Sequence, residues 1–417
     1  AGLALGSAVL RSAPADLARH RTVLARAVLP VALTGAHLVP LPPEVWQGLP
    51  GRGIIAAIDA GAGLGPVWRP LSIDPDATWN ALFASLVPLA VVLLAIQLSP
   101  AERLRLLPLV LAIGGASALI GLLQTLGDRD GWLYAYAVTN RGAPVGLFAN
   151  RNHQALFLAT LLPILAVLAL AGERGTRAAL ARQAACLLAG LCLLPLILVT
   201  GSRMGSFCAV IALLCVPLLL RGSGAAATPY APPLARWGAR IALPLAALAL
   251  AALTVWLGRA VAWERFVTID PQEDLRLQLL PVLRTMAEAW LPLGSGIGTF
   301  EAAWRLAEPD SLLAPFYVNH AHNDWLEALI TGGIPAAVLA LCAALAWAVR
   351  AVALFARAPV ATGEVLAGRL GLAIVALFAL GSWSDYPLRV PSLSCLFALA
   401  AVLASGSGPR ARQPEEA

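Results

Sequence analysis

The sequence predicts an all-α, polytopic membrane protein of about ten to twelve transmembrane helices, and three observations support that class. Of its residues, 59% are hydrophobic and 12% charged, with a mean hydropathy of +0.78. In an ordinary soluble domain, charged residues make up about a quarter. Apolar stretches near the roughly 20 residues that cross a bilayer recur along the whole chain. The net charge of +6 comes from arginine alone, because the sequence has no lysine, and one set of short, alternate connections carries clustered arginines. That alternation is what the positive-inside rule requires of the cytoplasmic side.

Each span follows in order from this alternation. The first, near 22–40, leaves a connection with Arg11, Arg19 and Arg21 and leads out to 41–78. The chain returns through 80–98 to Arg103 and Arg105, leaves through 106–126 to 127–150, and returns through 154–171 to Arg174, Arg177 and Arg182. Span 184–200 leads to a tight outer turn at 201–203, and 204–220 returns to Arg221, Arg236 and Arg240. Span 239–257 opens into the long outward stretch 258–322, and 325–349 returns to Arg350 and Arg357. Finally 366–383 leads out to 384–389, and 390–405 returns to Arg410 and Arg412. The outward segments carry Trp46, Trp68, Trp79, Trp132, Trp263 and Trp290, which suits interfacial anchoring. Residues 1–417 therefore read as a single integral membrane domain. Ala1 to Leu10 are apolar but too short to cross, and the sequence opens without Met, as a chain beginning inside a helix would; no cleaved signal peptide is visible. A sequence pI near 9.3 would suggest nucleic acid in a soluble protein, but topology explains the charge here. Cys186, Cys192, Cys208, Cys215, Cys342 and Cys395 all lie inside apolar spans and read as small core hydrophobes.

The unusual polar motifs share the outward face. Gly146-Leu147-Phe148-Ala149-Asn150-Arg151-Asn152-His153 precedes a span. Asn150, Arg151 and Asn152 offer donors at a helix head, where free backbone N–H groups also favour an anion. A helix cap with an interfacial arginine explains the same residues. Thr200-Gly201-Ser202-Arg203 turns between two spans and leaves Arg203 at the membrane surface or in a cavity, as a structural or a functional charge. Between Glu273 and Trp290, apolar positions at Leu275, Leu279, Leu280, Val282, Leu283 and Met286 accompany Arg276 and Arg284. Pro281 interrupts them, giving two short amphipathic pieces or a kinked helix on the membrane. The glycines from Pro292 to Phe300 resemble a phosphate loop, but no strand precedes them and no Lys-Ser/Thr follows. A tight turn with close backbone approach fits better.

Asn319-His320-Ala321-His322-Asn323-Asp324 then runs into the next span. On an extended backbone His320 and His322 share a side, and on a helix they diverge. A metal site, an interfacial histidine pair and a general base are the three readings. No HExxH pattern or third ligand at helical spacing supports metal, whereas histidine suits proton transfer near neutral pH. Asp128-Arg129-Asp130 also looks like an acidic metal motif, but such a triplet is common by chance and reads as a solvated loop.

Taken in order, Gly146 to Asn152, Thr200 to Arg203, the run from Arg276 through Trp290 to Gly296, and His322-Asn323 followed by Gly333 resemble the bacterial O-antigen ligase superfamily, over roughly Leu41 to Pro387. The ordered combination is specific; each piece alone is weak. This superfamily includes O-antigen ligases, O-antigen and exopolysaccharide polymerases and protein O-oligosaccharyltransferases. The resemblance implies a C-type glycosyltransferase of the bacterial inner (cytoplasmic) membrane, with its active site facing the periplasm. Residues 258–322 are then a long periplasmic loop region with short amphipathic helices. The implied donor is a glycan on undecaprenyl pyrophosphate, and the acceptor lipid A-core for a ligase or a second lipid-linked glycan for a polymerase. Carried over by motif, His322 is the catalytic base and Arg203 and Arg276 the essential arginines, with Arg284 competing for the second place. Asn150, Arg151, Asn152, His320, Asn323 and Asp324 join Arg284 as substrate-binding candidates. No cofactor or metal is implied, and besides donor and acceptor the partner is the lipid bilayer, not nucleic acid. Ligase is preferred over polymerase. A non-enzymatic transporter of polyprenyl-linked glycan is the alternative of another class, and the lack of an internal repeat speaks against it.

Overall fold

The computed structural model describes residues 14–128, 131–170, 176–222, 275–313, 317–356 and 362–406, with a few positions before residue 14. Among these the chain is nearly all helical, and the only strand pairing is a two-residue ladder of Pro40–Leu41 against Arg69–Pro70. Six helices are long and apolar enough to cross a membrane: Pro75–Gln97, Pro100–Leu126, Arg151–Ala169, Arg177–Val199, Asp324–Ala356 and Gly363–Gly381. Arg203–Leu219 and Pro391–Ser405 are apolar but shorter. Eight of the ten expected spans coincide with these helices, which make the chain a multi-pass membrane protein. The span expected at 22–40 is the 16-residue helix Arg21–Ala36. The span at 239–257 lies outside the described residues, as do 258–274 and the Arg129-Asp130 pair.

Two compact units divide the chain, each assembled from separated stretches. The first takes 1–97, 270–348 and 382–398, and the second 98–269, 349–381 and 399–417.

In the first unit, Leu275–Trp290 is one helix with Pro281 inside it. Leu279, Leu283, Met286, Ala287 and Trp290 form its buried stripe, the three-and-four spacing of an amphipathic helix. They pack with Phe300, Ala303, Trp304, Val318, Ala321 and Ile330, and this core holds the helix together across the proline. Beyond it, the glycine-rich run interlocks backbone to backbone with a break in the helix Asp324–Ala356. At the break Gly333 has φ 62° and ψ −157°, and Ile334 N–H donates to Pro292 O at 2.8 Å. Ser295 N–H donates to Ile330 O at 3.0 Å and Gly296 N–H to Thr331 O at 2.9 Å. A side chain at Gly333 would put its Cβ 2.3 Å from Pro292 O, so the glycine permits the approach. The other side of the run is held by Arg52, whose buried guanidinium donates to Gly294 O at 3.2 Å and lies over Trp290. Burial pushes the Arg52 pKa down to about 10. His37, just beyond the helix Arg21–Ala36, accepts Ile297 N–H on Nδ1 at 3.0 Å. Burial, helped by the Arg52 charge, pushes its pKa down to about 4.

In the second unit, Arg151–Ala169 is buried along most of its length among 107–126, 177–199, 203–219 and 363–381. Side-chain caps start three of its helices: Asn150 accepts Asn152 N–H at 2.8 Å, Thr176 accepts Ala179 N–H at 3.1 Å, and Ser202 accepts Gly205 N–H at 3.1 Å. Two buried glutamines fasten the preceding loop. Gln124 Oε1 accepts the N–H groups of Val145 and Gly146 at 2.9 and 2.8 Å. Gln154 exchanges hydrogen bonds with Ser117 at 2.6 and 3.1 Å. Satisfying these polar groups matters most where no water competes.

Candidate functional site

The polar cluster that the sequence places before its next span is assembled in the first unit. Residues 319–323 precede the helix, and His322 is the only non-glycine with positive φ among the described residues, at 49°. That left-handed conformation costs on the order of 1 kcal/mol or more and persists where surrounding contacts over-determine it. Here it turns the imidazole toward the 382–389 turn. His322 Nδ1 stands 3.2 Å from Asp385 Oδ1, which also accepts Tyr386 N–H at 3.0 Å. An ionised carboxylate only accepts, so Nδ1 carries the proton and Nε2 is left as the acceptor. Asp385 Oδ2 faces Arg276 Nη2 at 3.8 Å. The Asp385 side chain is 5% exposed, whereas His322 is 24% and Arg276 37% exposed, so the carboxylate sits behind two accessible groups.

A second histidine–carboxylate pair lies beside the first. His320 Nδ1 is 3.0 Å from Glu327 Oε1, and Glu327 Oε2 accepts Ala321 N–H at 2.9 Å. Both imidazoles touch the Tyr386 ring, His320 at 4.1 Å and His322 at 5.1 Å between centroids. Arg389 Nε lies 3.1 Å from Glu327 and 3.2 Å from Asp324. Asp324 Oδ2 accepts Ser382 Oγ–H at 2.9 Å and Leu388 N–H at 3.2 Å. Asn323 caps the helix through its side chain, accepting Leu326 N–H at 3.0 Å.

Arg276, His320, His322, Asn323 and Asp324 are thus brought together, while Arg284 is exposed two turns further along the Arg276 helix. Asp324 and Asn323 spend their side chains on local bonds, so Asp385 rather than Asp324 stands against His322. Asp385, Tyr386, Glu327 and Arg389 were missed by the sequence reading. A lone carboxylate in the short outward connection 384–389 was the available signal.

Arg203, Arg151, Asn150 and Asn152 belong to the second unit. Arg151 and Arg203 each open a helix, at the first residue after the capping Asn150 and Ser202. A Cβ on Gly205 would fall 2.2 Å from that of Ala155, so the two helices meet near their N-terminal ends. The arginines therefore head neighbouring helices at one end, where the helix dipoles are positive. A cation there gains nothing from the dipole, whereas an anion would be favoured by both. Among the described residues no three His, Cys, Asp or Glu side chains converge as a metal-ligand group.

Residues 188–341 match the family model for O-antigen ligase, and no curated protein matches the chain. The matched stretch contains Arg203, Arg276, Arg284, His320, His322, Asn323 and Asp324; Asn150 to Asn152 precede it, and Asp385 and Arg389 follow it. This match supports the O-antigen ligase superfamily and, in general terms, an enzyme of the membrane ligase or polymerase kind acting on lipid-linked glycan.

Proposed function

We propose, starting from that family match, that the protein is a membrane glycosyltransferase that moves a glycan from undecaprenyl pyrophosphate to an acceptor hydroxyl on the periplasmic face, as an O-antigen ligase acting on lipid A-core. The observation that carries the reading is the pairing of His322 Nδ1 with Asp385, which leaves Nε2 to receive a proton, beside Arg276.

In the proposed step, His322 Nε2 takes the hydroxyl proton as the acceptor oxygen attacks the anomeric carbon. The new carbon–oxygen bond forms as the bond to the pyrophosphate oxygen breaks on the opposite face, inverting the configuration. The electron pair leaves with undecaprenyl pyrophosphate, which needs no protonation to depart. Arg276 is placed to bind its oxygens and stabilise the charge that develops there. Arg203 is retained as a second pyrophosphate ligand on the resemblance, with Arg151 and Asn152 assisting. Guanidinium groups stay charged when partly desolvated, which suits an anion at a membrane surface.

The test is transfer in proteoliposomes from a defined polyprenyl-pyrophosphate glycan, offered lipid A-core in one reaction and a second lipid-linked repeat in another. A product on lipid A-core supports the ligase, and lengthened lipid-linked glycan points to a polymerase. Glycan translocated without any new bond would sink the enzyme reading in favour of transport. Wild-type transfer by His322→Ala would remove the base assignment, and normal donor affinity in the Arg203→Ala, Arg276→Ala double variant would remove the arginine assignment.

A further inference from the structure

We infer that Asp324 and Arg389 are positioning residues that lock the 382–389 turn so that Asp385 meets His322; this rests on the reading of His322 as the base. Asp324 closes that turn from both ends. Its Oδ2 accepts Ser382 Oγ–H at 2.9 Å and Leu388 N–H at 3.2 Å, and its own N–H donates to Ser382 O at 2.9 Å. Between these two anchors sit Asp385 and Tyr386, the residues that touch the imidazoles.

Arg389 ties the other side of the contact to the same point. Its Nε bridges Asp324 at 3.2 Å and Glu327 at 3.1 Å. Glu327 in turn holds the Ala321 N–H, on the residue before His322, and His320 Nδ1. Both partners of the 3.2 Å contact between His322 and Asp385 are therefore referenced to one ionic group at the head of the helix Asp324–Ala356. At 6% exposed and with both oxygens engaged, Asp324 is poorly placed to bind a sugar hydroxyl. Its chemistry is that of a clamp. A misplacement of about 1 Å at a reacting group costs up to about a hundredfold in rate, so loosening the turn should be read in turnover rather than in binding.

The experiment measures kcat and KM for glycan transfer in proteoliposomes with the acceptor that the wild type uses. Asp324→Asn, Asp385→Asn, the double variant and Ser382→Ala are compared. Asp324→Asn is expected to lower kcat about tenfold, the scale of a lost bond to a charged group, with donor and acceptor KM within about twofold of wild type. In the Asp385→Asn background the same change should cost less than about twofold, because Asp324 acts through Asp385. Losses that multiply in the double variant would overturn the inference. So would a raised acceptor KM at unchanged kcat, which marks direct sugar contact. If Asp324→Asn loses its cooperative unfolding transition, Ser382→Ala, which deletes one bond of the clamp, carries the test. Its expected loss of about threefold should vanish in the Asp385→Asn background, and equal losses in both backgrounds would refute the clamp. Failure of the underlying reading shows separately, as wild-type transfer by His322→Ala.

Discussion

Replacing Asp385 by Asn tests the chemistry at the centre of the site. The substitution keeps size and one acceptor oxygen but removes the charge behind His322. As His322 Nε2 takes the acceptor proton, the ring becomes a cation 3.2 Å from Asp385 Oδ1. At an effective dielectric of about 20, two unit charges at that distance attract by about 5 kcal/mol. His322 is partly exposed, so water screens the interaction and about 2 kcal/mol is the working figure. That corresponds to a fall of roughly thirtyfold in kcat. The amide also forces a poor choice: its NH2 group must face either the protonated Nδ1 or Arg276 Nη2, 3.8 Å from the other oxygen. Facing Nδ1, it drives the proton to Nε2 and blocks the base. The assay is initial-rate transfer at saturating donor and acceptor, with folding checked by thermal unfolding in detergent. A folded Asp385→Asn protein that keeps more than about half of wild-type kcat would refute the reasoning, because neither the charge nor the tautomer would then matter.

Four further outcomes follow from the same geometry. His322→Ala should lower transfer by about a hundredfold or more, the scale of general-base catalysis, and His320→Ala by less than about tenfold; the reverse order in a rate assay would transfer the base role to His320. Gly333→Ala forces a side chain into a left-handed position 2.3 Å from Pro292 O, and should cost about 2 to 4 kcal/mol, read as a lowered Tm in detergent; an unchanged Tm would show that the interlocked backbones are not required. His37 is held neutral in the fold, with a pKa near 4, while in the unfolded chain it protonates below about 6.5. Stability should therefore fall as pH drops from about 6.5 to 4, by at most about 3 kcal/mol, and His37→Asn should flatten that slope in unfolding measured against pH. Treatment with EDTA should leave transfer unchanged, since arginines are assigned to the pyrophosphate; abolition would direct attention to Asp128 and Asp130.

Much of the fold was legible because crossing a bilayer imposes length and apolarity locally, residue by residue. The capped start at Asn150 was also a local signal, whereas Thr200 to Arg203 showed only a turn and not the cap that Ser202 makes. Pro281 was less so: its interruption suggested two pieces or a kink, but a stripe of five buried residues, from Leu279 to Trp290, fixes one helix, and packing partners lie outside the segment itself. The candidate site divides along the same line. His322 and Arg276 were singled out by ordered motifs. Asp385 is 63 positions from His322 and reaches it only after the chain has crossed and returned, so no spacing rule connects them. Glu327, three residues into a helix, looks from sequence like an ordinary acidic residue complementing the dipole. Its burial and its bond to His320 become visible only when the 319–323 segment folds back on it.

Two histidines, each with a carboxylate on Nδ1, raise the question of which can serve as the base. The carboxylates decide it better than the imidazoles do. Glu327 shares Arg389 with Asp324, at 3.1 and 3.2 Å, and spends its second oxygen on the Ala321 N–H. A cation formed on His320 would meet a carboxylate already held in place by a guanidinium. Asp385 meets a guanidinium more loosely, with Arg276 at 3.8 Å. If Arg276 turns to pyrophosphate oxygens when donor binds, its attraction for Asp385 weakens at the moment the proton moves to the imidazole. On the proposed assignment, donor binding would then strengthen the base, because the arginine drawn to the leaving group would pull less on the carboxylate behind His322. His320 instead has its carboxylate partner held in the clamp by Arg389.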